Sequence, residues 1–167
     1  PDADKPWGKE RAQAIRDTFK AIIDHAGAVK ADCLFISGDL FHRQPLMRDI
    51  KEVNYLFSTI PHVRVVMIAG NHDKIRENSS ILSFSWSHNV TFLADPALSS
   101  VYFDDINTEV YGFSYHTTEI REPLLEDIQD PLNNRIQILL AHGGDPAHVP
   151  MNFNTLSLSP FSYIALG

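Results

Sequence analysis

Cys33 is the only cysteine in this 167-residue chain, so an internal disulfide and any cluster of thiolate ligands for zinc are excluded. It lies in the apolar run Cys33-Leu34-Phe35-Ile36 and reads as a buried structural thiol. Long hydrophobic runs are missing too. No window approaches the roughly 20 apolar residues that span a bilayer, and the amino end has no basic flank leading into an apolar stretch. A soluble, cytoplasmic protein with no membrane partner is the expectation. Positive charge is scarce: 14 Lys and Arg stand against 21 Asp and Glu, a net charge of -7, whereas chains that grip nucleic acid through its phosphates carry a basic face. This balance argues against non-specific DNA binding by the chain alone. It does not argue against DNA chemistry, because bound divalent cations place positive charge where a scissile phosphate sits. The 8 glycines and 10 prolines are scattered between apolar runs, and no repeat or low-complexity tract marks a boundary. With 44% hydrophobic residues, a single domain over residues 1–167 is expected.

Between Lys9 and Lys30 the apolar residues Ala12, Ile15, Phe19, Ile22, Ile23 and Ala26 recur at helical spacing with charged residues between them, which predicts an amphipathic helix. Cys33 to Ser37 is a short apolar run stopped by Gly38 and predicts a buried strand. Leu46 to Ile60 is helical again, ended by Pro61, and Val63 to Ala69 is a second buried strand closed by Gly70. Helix and strand alternating through short connections predict parallel strands with helical crossovers. Further on, a short helix over 79–87, a strand near 90–93, a hairpin from 101–104 and 109–113, and a helix over 122–130 are expected. A third buried strand over 135–141 and a last one over 163–166 complete the pattern.

The polar residues fall where such strands end. Ser37-Gly38-Asp39 follows the first strand, Gly70-Asn71-His72-Asp73 the second and Ala141-His142 the third. Ligands gather beyond the carboxyl ends of parallel strands, and a carboxylate, an amide oxygen and an imidazole form a mixed oxygen and nitrogen donor set suited to manganese, iron or zinc. One Gly-Asp pair at a strand end is merely a turn; three such strand ends in one chain are not explained that way.

The segments GDLFH (38–42), GNHD (70–73) and LLAHG (139–143) resemble the middle motifs of the calcineurin-like metallophosphoesterases. GDLFH is similar in particular to the DNA-repair exonuclease branch, the SbcD type and its double-strand-break counterparts. The resemblance runs from about residue 9 to 167 and implies an α/β sandwich of mixed β-sheets flanked by helices. It also implies two divalent metal ions, manganese first, with iron or zinc as alternatives. Asp39 would bridge the two, and Asn71 and His142 would bind the second. His72 would face the phosphate as proton donor, with Asp73 orienting its imidazole. His42 would lie by the substrate phosphate; Arg43, beside it in the sequence, reads as a phosphate contact by its position alone. DNA as substrate, a homodimer and an ATPase partner of the SbcC type follow from the same resemblance.

The family's opening Asp-x-His and closing Gly-His-x-His elements are absent from the sequence, so a chain truncated at both ends, unstable or inactive by itself, is expected. Two rivals stand beside the nuclease. One is a phosphoesterase acting on nucleotides, cyclic nucleotides or phosphoproteins; the other is a non-catalytic scaffold of the same fold. His25, His62 and His88 read as surface or cap residues, and Trp7 and Trp86 as packing anchors. His116 and His148 follow strand-to-loop transitions and could touch substrate, with solvent the favoured surroundings.

Overall fold

The computed structural model describes residues 5–125, 134–157 and 159–167. Helix α1 (Gly8–Ala28) is followed by Lys30, whose φ of 53° turns the chain away from the helix. Strand β1 (Cys33–Ser37) follows, then helix α2 (Met47–Ser58) and strand β2 (Arg64–Ile68). Asp49, in the first turn of α2, accepts the Leu46 N–H at 3.0 Å and so satisfies a donor the helix cannot. A short helix α3 (Ser80–Ser83) leads to β3 (Val90–Phe92). Strands β4 (Ser99–Phe103) and β5 (Thr108–Gly112) make the expected hairpin around Asn107, which takes the left-handed conformation at φ 48°. Strand β6 (Ile136–Ala141), helix α4 (Phe153–Leu156) and strand β7 (Tyr163–Leu166) close the chain. The helix expected over 122–130 lies largely outside the described residues, and α3 is shorter than its apolar pattern implied.

These strands form two sheets. One has the order β1-β2-β3, all parallel. The other has the order β4-β5-β6-β7, antiparallel in the hairpin and parallel from β5 onward. The alternation of β2 sets the layering. Val65 and Met67 join Ile23, Ala26, Phe57, Ile60 and Val63 in the core under α1 and α2. Val66 and Ile68 point the other way and meet Leu93, Val110 and Leu140 between the sheets. A third core, with Phe113, Tyr115, Leu139, Ala141 and Val149, covers the far face of the second sheet. Both faces of β2 are therefore apolar, which is why it reads as an unbroken hydrophobic run.

Three expectations need correcting. The third polar strand end belongs to β6, in the second sheet, so it meets the first two across the sandwich and not along one parallel sheet. Strand β1 is half-buried along its length, Cys33 included; among the described residues it pairs with β2 on one edge only. Trp7 is 55% exposed and lies outside the hydrophobic cores of the described residues, whereas Trp86 packs against Phe57 and Phe84. Among the described residues no helix is long and apolar enough to cross a membrane.

Candidate functional site

The tips of β1 and β2 approach each other closely, and their glycines make this possible. Gly38 (φ 85°) and Asp39 (φ 50°) are both left-handed, which reverses the chain at once after β1. Gly70 serves a different purpose: a Cβ there would lie 2.3 Å from Asp39 Oδ1 and 2.6 Å from the Asp39 nitrogen. The loops are tied by side chains as well. Asp39 Oδ1 accepts the His72 N–H at 3.0 Å. Asp73, 1% exposed, accepts the Gly70 N–H through Oδ1 at 2.8 Å and the Phe41 N–H through Oδ2 at 3.0 Å. Burial pushes the Asp73 carboxyl above its ordinary value, against the pull of those N–H groups from Phe41 and Gly70.

His142 reaches this junction from β6 across the sandwich. Its Nδ1 lies 2.9 Å from the Ser37 carbonyl, to which it donates, so Nε2 presents a lone pair. That lone pair faces Asn71 Oδ1 at 3.1 Å and Asp39 Oδ2 at 3.5 Å. Three acceptors, one from each strand tip, thus converge on one point. Such a set is repulsive in itself and calls for a cation among them. Among the described residues no three His, Cys, Asp or Glu side chains gather as a metal cluster; the donor set here has two of those types, with an amide as its third member. Asp39, Asn71 and His142 fit a divalent ion through oxygen and imidazole nitrogen.

His72 sits at the open side of this set, its side chain 46% exposed and its Nε2 3.9 Å from Asp39 Oδ2. Its Nδ1 donates to the His42 carbonyl at 3.1 Å, and the two imidazoles stack with centroids 4.9 Å apart. The imidazole is therefore held by the main chain and ring of His42; among the described residues no hydrogen bond joins it to Asp73, whose carboxylate accepts the two backbone N–H groups. Arg43 is exposed and lines an open groove of about 950 Å³ between α1 and α2 that also reaches His42 but none of Asp39, Asn71 and His142. Among the described residues no hydrogen bond or ion pair holds it at the cluster.

His148 does not simply face solvent. Its Nε2 lies 3.3 Å from Asn71 Nδ2, and its Nδ1 lies 2.8 Å from Asp145 Oδ2. The hydrogen bond from His148, then that from the Ala147 N–H, holds the Asp145 carboxyl below its ordinary value. Tyr115, fully buried, donates its hydroxyl to the His142 carbonyl at 2.8 Å, and burial pushes its phenol far up from the usual range. The spacing of His148 from His142 suggested proximity, but nothing in the sequence showed which way the ring would turn. His116 instead bonds to the Ala94 carbonyl at 2.8 Å.

The fold is thus one parallel and one mixed sheet with helices, and it carries a carboxylate, an amide and an imidazole at its strand tips. A family model for the calcineurin-like phosphoesterases matches residues 8–163, and the chain belongs to that family, whose members generally use divalent metals. Over 80 residues the chain is 38% identical to the DNA double-strand break repair protein Mre11 of Archaeoglobus fulgidus, a stretch covering 46% of this chain and 17% of that relative. The similarity falls on the DNA-repair branch that GDLFH resembles.

Proposed function

We propose that this chain carries the core of a metal-dependent phosphodiester hydrolase acting on DNA, a nuclease of the SbcD-like repair type. The observation that carries the reading is the convergence of Asp39 Oδ2, Asn71 Oδ1 and His142 Nε2, lone pair toward lone pair, at the tips of β1, β2 and β6. When bound there, divalent ions, manganese first among them, supply positive charge for the phosphate and lower the pKa of an attacking water. The chain's own residues do the rest. Asp39, Asn71 and His142 hold the cation; Asp73 keeps the two loops that carry them in register. His72, held by the His42 carbonyl and with its side chain 46% exposed, delivers a proton to the leaving oxygen or hydrogen-bonds the phosphate. Arg43, exposed in the neighbouring groove, contacts the substrate backbone.

The similarity to an archaeal Mre11 supports DNA as substrate, and a homodimer acting with an SbcC-like ATPase is the assembly that accompanies it. That partner would offset the net charge of -7, which alone disfavours DNA binding.

The test uses full-length protein with manganese on linear duplex DNA, hairpin DNA and a chromogenic phosphodiester. Cleavage of DNA, abolished together with metal content in Asp39→Ala, is expected. His72→Ala should retain metal and lose turnover by about 100-fold or more. Hydrolysis of the chromogenic ester with no DNA cleavage would move the substrate to a small nucleotide or phosphoprotein. An Asp39→Ala protein that keeps its metal would refute the site itself.

A further inference from the structure

The amide of Asn71 stands between two imidazoles, His142 on one side and His148 on the other. An amide is two-faced: its oxygen accepts, its nitrogen donates, and the two orientations fill nearly the same space. Only the oxygen can bind a cation, so the site works in one orientation alone.

His142 cannot set that orientation. Its Nδ1–H is given to the Ser37 carbonyl, so its Nε2 is an acceptor and would by itself attract the NH2 of Asn71. The turned amide would then bond to His142 and set its donor hydrogens where the cation belongs. His148 opposes this turn. Asp145 Oδ2 takes the Nδ1–H of His148 at 2.8 Å, which leaves His148 Nε2 as an acceptor 3.3 Å from Asn71 Nδ2. Asp145 is fixed in turn: its Oδ1 accepts the N–H groups of Ala147 at 2.8 Å and His148 at 3.1 Å. The backbone carries the chain of contacts to its end, since the His148 carbonyl accepts the Gly144 N–H at 2.7 Å.

We propose that Asp145 and His148 form a hydrogen-bond relay that fixes the Asn71 amide with its oxygen toward the cation, so that His148 is a positioning residue for the metal site. The inference rests on the metal reading above and deepens it. The relay needs no proton movement, only that one nitrogen of His148 donates and the other accepts.

The experiment is a manganese titration of metal-stripped full-length protein, wild type and variants, by calorimetry, with the melting temperature of each metal-free form measured alongside. Asp145→Asn retains an oxygen for the two turn N–H groups and turns an NH2 toward His148, inverting the ring's donor and acceptor. It should weaken manganese binding by about tenfold or more at an unchanged metal-free melting temperature. His148→Phe, which fills the space without accepting, should do the same. His148→Gln, whose amide oxygen can take the Asn71 N–H, should bind within a few-fold of wild type. Wild-type affinity in Asp145→Asn or in His148→Phe overturns the relay, and so does a His148→Gln as weak as His148→Phe. Asn71→Ala separates the two levels. If it binds manganese as wild type does, the metal assignment fails; if it is weak while Asp145→Asn is not, the relay alone fails.

Discussion

Replacing Asp73 distinguishes two roles for a buried carboxylate beside a reactive histidine. If it oriented His72, its loss would slow the chemistry and spare the fold. The geometry assigns it the opposite effect. Asp73→Ala strips the partner from two main-chain donors, Gly70 N–H and Phe41 N–H, at a position where the residue is only 1% exposed. A buried donor left unmade costs about 1–3 kcal/mol, so the two together cost about 2–6 kcal/mol. For a domain of this size a loss of 1 kcal/mol lowers the melting temperature by about 2–4 °C, so a drop on the order of 5–20 °C is expected from thermal unfolding followed by circular dichroism. Asp73→Asn keeps one acceptor and sets an NH2 against the second N–H, so it should fall between wild type and Ala. The two loops carry Asp39 and Asn71, so metal affinity should fall with stability. A variant Asp73→Ala that melts within about 1 °C of wild type, far below the cost of two unmade bonds, and loses only kcat would refute the clamp and restore the orienting role.

Gly70→Ala should be destabilised by about 1–3 kcal/mol through overpacking, because its new methyl would meet the Asp39 backbone nitrogen at 2.6 Å; chemical denaturation measures the loss, and manganese titration should show weaker binding as Asp39 is displaced. At Glu109, burial alone would raise the carboxyl, but hydrogen bonds from Arg135, Ser100 and Tyr111 and the charge of Arg135 hold it below its ordinary 4.5. A depressed folded value means that the unfolded chain takes up the proton first as acid is added. Stability from this group is thus complete above about pH 4.5 and is lost as pH falls through the lower folded value. Denaturant unfolding at a series of pH values should show a flatter acid limb in Glu109→Gln than in wild type, and parallel curves would count against the ion pair.

Helices α1 and α2, strands β1, β2 and β6 and the hairpin were legible in the residues because each rests on local periodicity: an apolar stripe every three to four residues for the helices, an apolar run stopped by glycine for the strands. That Asp39, Asn71 and His142 stand at strand tips was legible for a related reason, since polar groups directly after a buried strand fall at its end. What the sequence could not determine is everything that depends on one segment meeting another. That β6 belongs to a second sheet follows from its pairing with β5 and β7, which no short-range pattern encodes. The direction of Asp73 toward main-chain N–H groups and of His72 toward the His42 carbonyl was settled by the close approach of two loops 30 residues apart, which Gly70 permits by having no side chain. The place of His148 against Asn71, 77 residues away, came from the packing of the two sheets. Spacing along the chain names the residues that can do chemistry; only the assembled sandwich decides which nitrogen or oxygen each turns toward its neighbours, because hydrogen-bond direction is a property of pairs and not of positions.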